Sequence, residues 1–216
     1  MPAEPFTITV LAGVNGAGKS SVGGARLQQA GGVFYNPDVV ARAAREASPS
    51  LTAPEANAYA WLRGKALLEA AIASRTAFNF ETTLGGDTIT KLLIEAAGQG
   101  ATLNLWYAGL ASVDLHIRRV KSRVKKGGHP IPEADIRKRW FSSHLNLIRL
   151  LPHVTNLRVY DNSAERNPDK GQAPEPNLVL SVTNGRIDFP GPSEVKDTPE
   201  WAQPIVVAAF KTLRQA

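Results

Sequence analysis

The sequence contains no cysteine, which excludes disulfide bonds, thiolate metal sites and a cysteine nucleophile. It also lacks any apolar run near the roughly 20 residues that span a bilayer, so we expect no membrane segment. The opening residues, MPAEPFTITV, show neither the basic stretch nor the apolar stretch of a secretory signal. Because the absence of thiols also fits a reducing compartment, we predict a cytoplasmic location.

Phe, Tyr and Trp are missing from the segment that holds the excess of positive charge. Nine of the 25 lysines and arginines lie between Arg118 and Arg139, but only two of the 19 acidic residues do. The rest of the chain is therefore nearly neutral, although the net charge is +6. Nucleic-acid grooves usually interleave basic residues with aromatic ones, and this segment has none apart from His129. We therefore expect no nucleic-acid partner.

Apolar runs typical of buried strands alternate along the chain with stretches of helical periodicity. Strands are predicted at 6–12, 32–36, 76–83, 102–110 and 156–163, and helices at 18–29, 38–46, 54–74, 86–100, 112–126 and 133–151. Such alternation favours an α/β fold in which helices cover both faces of a mostly parallel, five-stranded sheet.

The last 52 residues are predicted to form a small addition, 165–216, packed on a core of residues 1–164. A Pro- and Gly-rich linker at 165–176 precedes a hairpin at 177–189 and a helix at 198–214. Asn184-Gly185 is typical of a two-residue hairpin turn.

Residues 13–20, GVNGAGKS, match the pattern G-x-x-x-x-G-K-[ST] of a phosphate-binding loop, or P-loop. Glycines let successive backbone N–H groups face a phosphate chain, and the following helix adds its positive N-terminal end. Lys19 would bridge the β- and γ-phosphates, and the Ser20 hydroxyl would bind Mg²⁺. The predicted cofactors are ATP and Mg²⁺, and the candidate ATP-binding residues here are Gly13, Asn15, Gly16, Ala17, Gly18, Lys19, Ser20 and Ser21.

Polar residues lie at the C-terminal ends of the second and third predicted strands, the edge where open α/β sheets bind ligands. Asp38 is a candidate base that accepts the proton of an attacking hydroxyl. The candidate substrate-binding residues are Asn36, Asp38, Arg42, Glu81, Thr82 and Thr83. Helix capping is the alternative for Asp38, and also for Glu81 and Thr83, which precede the helix predicted near Asp87.

The basic segment contains a break, GGHPIP at 127–132, between two predicted helices. Arg119 and Arg123 are four residues apart and share a helix face that points to one place, and Arg139 lies beyond the break. Arginines neutralise charge on a moving phosphoryl group, and hinged helices at about 112–150 would form a lid over the nucleotide. We predict Lys19, Asp38, Arg119 and Arg123 as catalytic residues; a solvated basic face is the alternative for the arginines.

Three further predictions complete the site. Arg119, Arg123 and Arg139 are candidate ATP contacts, and His129 in the break is a candidate substrate contact. Asn162 and Ser163 follow the fifth predicted strand, where P-loop kinases often place the loop around adenine.

The P-loop, NPDVVAR, FETT, RVKSRVKKGGHPIPEADIRKRW and YDNS follow one another in an order that resembles the zeta toxin-like P-loop kinases over about residues 6–163. The resemblance implies transfer of the γ-phosphoryl group of ATP to a hydroxyl of UDP-N-acetylglucosamine. It further implies that Asp38 is the base, that Glu81 and Thr83 face the UDP-sugar, and that Arg119 or Arg123 is the lid arginine.

The chain departs from that family mainly on the substrate side. Zeta toxins carry an arginine two residues after the threonine that matches Thr83, where this chain has Gly85. His129 replaces a second lid arginine, and the His-Pro pair that follows the catalytic aspartate is missing. No antitoxin segment is evident. We predict a P-loop kinase that acts on the alcohol group of a small molecule; the alternatives are a polynucleotide-end kinase or nucleic-acid-binding P-loop protein, and an ATP-binding switch without phosphotransfer.

Overall fold

The computed structural model describes residues 6–24, 34–164 and 175–215. Residues 25–29 of the predicted helix after the P-loop, and residues 165–174 of the predicted linker, therefore lie outside the described residues. The strands are β1 Thr7–Ala12, β2 Phe34–Tyr35, β3 Phe78–Thr82, β4 Thr102–Gly109, β5 Asn156–Asp161, β6 Asn177–Thr183, β7 Arg186–Phe189 and β8 Arg214–Gln215. The α-helices are α1 Pro37–Ala47, α2 Ala53–Ser74, α3 Asp87–Gly98, α4 Val113–Lys125, α5 Glu133–Leu150 and α6 Gln203–Thr212.

The strands form one sheet in the order β2-β3-β1-β4-β5-β6-β7-β8. β1 to β5 are parallel, and the successive residues Val10, Leu11 and Ala12 of the inner strand β1 are all fully buried. A strand covered on both faces reads as a continuous apolar run, which is why the sequence revealed it. The predicted α/β class is confirmed.

The sheet has eight strands rather than the predicted five, because the C-terminal hairpin continues it. β6 pairs antiparallel with β5, and β7 pairs antiparallel with β6. The hairpin turns at Asn184 and Gly185, whose φ values of 50° and 71° are those of a type I′ turn, as predicted.

The helix predicted at 198–214 is shorter than expected. A 3₁₀ turn, Glu200–Ala202, precedes α6, and Pro204 lies in the first turn of α6, where its missing N–H costs nothing. The backbone becomes extended at Leu213, and Arg214 and Gln215 then pair with β7 as strand β8. The free edge of β7 offers backbone hydrogen bonds that a further helical turn could not use.

Helix α5 is attached to the loop that follows β3. Ser142, Ser143 and Asn146 donate hydrogen bonds of 2.8–3.3 Å to backbone carbonyls of residues 83–86, and Arg149 lies 2.7 Å from Asp87. Ser143 and Asn146 are buried, so these bonds are shielded from water. A closing movement of the predicted lid is therefore expected near residues 126–132 rather than along all of residues 112–150. No helix among the described residues is long and apolar enough to cross a membrane.

Candidate active site

The chain reverses direction directly after β1, at two glycines that no other residue could replace without strain. Gly13 has φ 143°, and a Cβ atom there would lie 2.4 Å from the Ala108 carbonyl oxygen of β4. Gly16 has φ 86°, and its Cβ would lie 2.7 Å from the His116 carbonyl oxygen of α4. The P-loop is therefore pressed closely between β4 and α4, and its curled backbone depends on these two residues.

Lys19 folds back over the P-loop. Its Nζ atom donates to the Gly13 carbonyl at 2.8 Å and lies 3.3 Å from Glu81 Oε1. The two paired side chains are only 10% and 13% exposed. Ser20 is exposed at the start of a π-helical turn, Ser20–Gly24, and the side chain of Ser21 lies outside the described residues. The lysine and the strand-end carboxylate predicted from sequence thus meet directly.

Asn36 joins the ends of β2 and β3. Its Nδ2 atom donates to Glu81 Oε2 at 3.1 Å, and its Oδ1 atom accepts from the Asp38 backbone N–H at 2.9 Å. Asn36 is therefore the N-cap of α1, and the Asp38 carboxylate is left for other partners. The N-cap of α3 is Gly86, without a side-chain hydrogen bond, so Glu81 and Thr83 cap no helix either. The capping alternatives are excluded for all three residues.

The Asp38 carboxylate, 45% exposed, faces the segment between α4 and α5. Arg123 Nη1 lies 3.9 Å from Asp38 Oδ2, and His129 Nε2 lies 3.8 Å from Oδ1. Arg123 also donates to the His129 carbonyl at 3.4 Å. The prediction that Arg119 and Arg123 point to one place is only partly right, because Arg119 donates to the Ala164 carbonyl at 3.2 Å, after β5. Both arginines line a basic cavity of about 510 Å³ with Arg42.

Arg139 reaches the P-loop from α5. Its Nη1 atom donates to Asn15 Oδ1 at 2.8 Å, and its side chain lies over Gly85, where a Cβ atom would be 2.8 Å from Arg139 Cγ. Because residue 85 is glycine and has no side chain, the Arg139 side chain can occupy this space.

Asn162 and Ser163, which follow β5, contact two different loops. Asn162 Nδ2 donates to the Ala17 carbonyl at 2.8 Å, and Ser163 Oγ accepts from the Ala111 N–H at 2.7 Å. The side chain of Asn162 is buried, so its amide supports the P-loop backbone in this structure. Contact of these two residues with adenine stays a prediction.

A cavity of about 400 Å³ opens opposite the P-loop. Lys19, Asp38 and Glu81 lie together in its wall, with the further predicted residues Asn15, Thr82, Thr83, His129 and Arg139. The predicted substrate residue Arg42 is not among its lining residues; it pairs with Glu46 at 3.9 Å on the exposed side of α1. We call this space the acceptor cavity.

Helix α2 supplies a wall of the acceptor cavity that the sequence reasoning missed. Asn57, Trp61 and Lys65 line it, and the Trp61 side chain is 46% exposed. Gly64 could have signalled this wall, because glycine inside a helix is destabilising unless a neighbour needs the space. A Cβ atom at Gly64 would lie 2.7 Å from the Tyr35 ring, which also lines the cavity.

His116 is a second residue that the sequence did not single out. It is 1% exposed, and its Nδ1 atom lies 2.9 Å from the Asn15 carbonyl, so Nδ1 carries the proton and donates it. Burial lowers the pKa of His116 to about 4. The neutral imidazole therefore holds the P-loop backbone from the side of α4.

Two groups of solved structures share this fold. A chain of the AvrRxo1-ORF1:AvrRxo1-ORF2 complex determined with ATP matches with a TM-score of 0.66 at 15% identity, covering 91% of this chain and 64% of that one. This chain thus spans slightly less than two thirds of that protein. A structure from the PezAT toxin–antitoxin system of Streptococcus pneumoniae matches with a TM-score of 0.54 at 14% identity, covering 80% and 74%. The chain therefore has the same fold as these two proteins, which agrees with the fold class that the sequence resemblance implied.

The sequence comparison gives the family. No family model matches the chain. An uncharacterized protein of Haemophilus influenzae is 31% identical over 128 residues, which are 59% of this chain and 88% of that protein. The chain belongs to the same family as the Haemophilus protein.

Proposed function

We propose that the protein is a kinase that transfers the γ-phosphoryl group of ATP to a hydroxyl group of a small molecule. The observation that carries this proposal is the meeting of Lys19, Glu81 and Asp38 in one cavity wall. Lys19 belongs to a loop built for phosphates, and Asp38 is a carboxylate free of helix capping. The cavity offers an acceptor about 400 Å³, within the range of small-molecule sites.

The donor side fits ATP. The curled loop at Gly13 and Gly16 presents backbone N–H groups, and phosphate oxygens would replace Glu81 and the Gly13 carbonyl as partners of Lys19. Among the described residues, no group of three or more His, Asp or Glu side chains is placed to hold a metal ion. Mg²⁺ keeps several waters and often binds through substrate phosphates, so Ser20 and the nucleotide would hold it here, where it would offset phosphate charge.

In the proposed reaction, Asp38 accepts the proton of the acceptor hydroxyl as the hydroxyl oxygen attacks the γ-phosphorus. The bond between that phosphorus and the β,γ-bridging oxygen breaks, and ADP leaves with the electron pair. Arg123, whose guanidinium lies 3.9 Å from Asp38, offsets the negative charge of the transferred group.

We propose a UDP-activated amino sugar, such as UDP-N-acetylglucosamine, as the first acceptor to test. The sequence resemblance supports it, and so does the composition of the acceptor cavity. Trp61 and Tyr35 provide flat apolar surface for a ring, and Lys65 and Arg139 provide positive charge for a diphosphate.

The proposal is tested by incubating the protein with ATP, Mg²⁺ and UDP-N-acetylglucosamine and measuring the masses of the products by mass spectrometry. We expect ADP and a sugar nucleotide heavier by one phosphate. Asp38→Asn should still bind ATP but lose about 10²–10⁴-fold in rate, whereas Lys19→Ala should bind ATP poorly. If the sugar nucleotide stays unmodified while other alcohols yield ADP, UDP-N-acetylglucosamine is not the acceptor. If Asp38→Asn transfers the phosphoryl group at an unchanged rate, Asp38 is not the base.

A further inference from the structure

We propose that Asn36 is a positioning residue, which fixes Asp38 relative to Lys19 by way of Glu81, rather than the substrate contact that the sequence suggests. The inference rests on the proposed kinase function for its catalytic consequence. The link itself, from Lys19 through Glu81 and Asn36 to the turn that carries Asp38, rests on geometry alone.

The two ends of the Asn36 amide serve two different elements. Oδ1 accepts from the backbone N–H groups of Asp38 and Val39 at 2.9 and 3.4 Å, which holds the first turn of α1. Nδ2 donates to Glu81 Oε2 at 3.1 Å, at the end of β3. A backbone N–H requires an acceptor and a carboxylate requires a donor, so the partners fix the orientation of the amide.

The sheet places these residues together. β2 and β3 are parallel, with Tyr35 opposite Phe80, so Asn36 and Glu81 each come one residue later at the same edge. The other oxygen of Glu81 lies 3.3 Å from Lys19 Nζ. The P-loop lysine and the first turn of α1 are therefore linked through only two side chains, Glu81 and Asn36.

This link has a catalytic consequence, because Asp38 is carried by the turn that Asn36 holds. A displacement of about 1 Å in a reacting group can cost roughly 10²-fold in rate. Substitutions that preserve the cap but lose the bond to Glu81 should therefore lower kcat and leave the binding of ATP and of the acceptor nearly unchanged.

Two substitutions separate capping from coupling. Serine and aspartate both cap helices about as well as asparagine. Asn36→Ser is too short to reach Glu81, and Asn36→Asp turns a carboxylate toward the Glu81 carboxylate, which repels it. Thr52→Asp is the matched control, because it places an aspartate at the N-cap of α2, beside Glu55, where the existing cap is exposed.

The experiment combines kinetics of ADP formation with crystal structures of the wild type and the variants. With UDP-N-acetylglucosamine as acceptor, we expect kcat to fall about 10- to 100-fold in both Asn36 variants, with both KM values within about threefold and Thr52→Asp unchanged. In crystals, Asp38 should move away from Lys19 in both Asn36 variants.

Two results would overturn the inference. One is a raised acceptor KM with unchanged kcat, which would make Asn36 a substrate contact; the other is an unmoved Asp38 in both variant crystals. If the wild type makes no product from UDP-N-acetylglucosamine but Asp38 moves as expected, the proposed acceptor fails and the positioning role stands.

Discussion

Replacing Glu81 by glutamine should tighten the binding of ATP. Lys19 Nζ lies 3.3 Å from Glu81, and this contact must be given up when phosphate oxygens bind the lysine. At that distance the Coulomb attraction is about 5 kcal/mol at an effective dielectric constant of 20. Most of that attraction is offset, because both groups give up their bonds to water when they pair. The net contribution of a charged hydrogen bond is therefore roughly 1.5–3 kcal/mol.

The lower end of that range applies, because in the ATP-free variant Lys19 still donates to the Gly13 carbonyl, 2.8 Å away in the wild type, and phosphate must displace that contact too. A gain of about 1.4 kcal/mol corresponds to a tenfold lower Kd. Glutamine still accepts a hydrogen bond from Asn36, so the end of β3 should keep its position and only the charge is lost.

Calorimetry with a non-hydrolysable ATP analogue, with Mg²⁺ and with EDTA, measures this effect. Glu133→Gln is the control, because Glu133 pairs with Lys121 at 2.6 Å on the surface and its loss should not alter the Kd. Weaker binding by Glu81→Gln in EDTA would refute competition between phosphate and Glu81 for Lys19. Weaker binding only with Mg²⁺ would instead give Glu81 a role in holding the metal.

Three further predictions concern the scaffold of the site. Trp201→Ala should lower the free energy of unfolding by about 3–5 kcal/mol, because the ring is only 7% exposed; urea unfolding measures it, with half-exposed Trp61→Ala as the milder control. Gly13→Ala should abolish binding of the ATP analogue, because the added Cβ would lie 2.4 Å from a β4 carbonyl oxygen; tight binding in the same calorimetry would contradict this. Burial lowers the pKa of His116 and of His144 from 6.5 to about 4, so the unfolded chain binds these protons first as the pH falls. The free energy of unfolding should therefore be highest above pH 6.5 and should fall toward pH 4, by on the order of 3 kcal/mol for each histidine. If the urea midpoint does not change over this pH range, neither histidine is buried in its neutral form.

Local patterns were sufficient to predict that Lys19, Asp38 and Glu81 lie near one another. Lys19 and Asp38 follow strands and Glu81 lies at the end of one, and parallel strands bring their carboxyl ends to one edge. The capping alternatives could not be decided from the sequence, because Asn36 and Asp38 are both good capping residues and only the backbone shows which one accepts the N–H groups.

The other walls of the acceptor cavity depend on packing between distant elements. Trp61 lines the cavity because α2 packs against α1 and β3, and no local pattern specifies that packing. Arg139 reaches Asn15, 124 positions earlier in the chain, through the space above Gly85. Helical spacing correctly placed Arg119 and Arg123 on one face, but it could not show that the carbonyls after β5 would attract one of them.

The contact of Trp201 with β4 has a consequence for the order in which the protein matures. A Cβ atom at Gly109 would lie 2.0 Å from the Trp201 ring, so the indole closes directly over the end of β4. The Gly109 carbonyl in turn accepts the backbone N–H of Asn162, whose side chain holds Ala17. On the ribosome, the whole P-loop, Asp38 and Glu81 emerge long before Trp201. We expect a nascent chain to bind ATP tightly only after Trp201 has been synthesised and its ring has docked on β4.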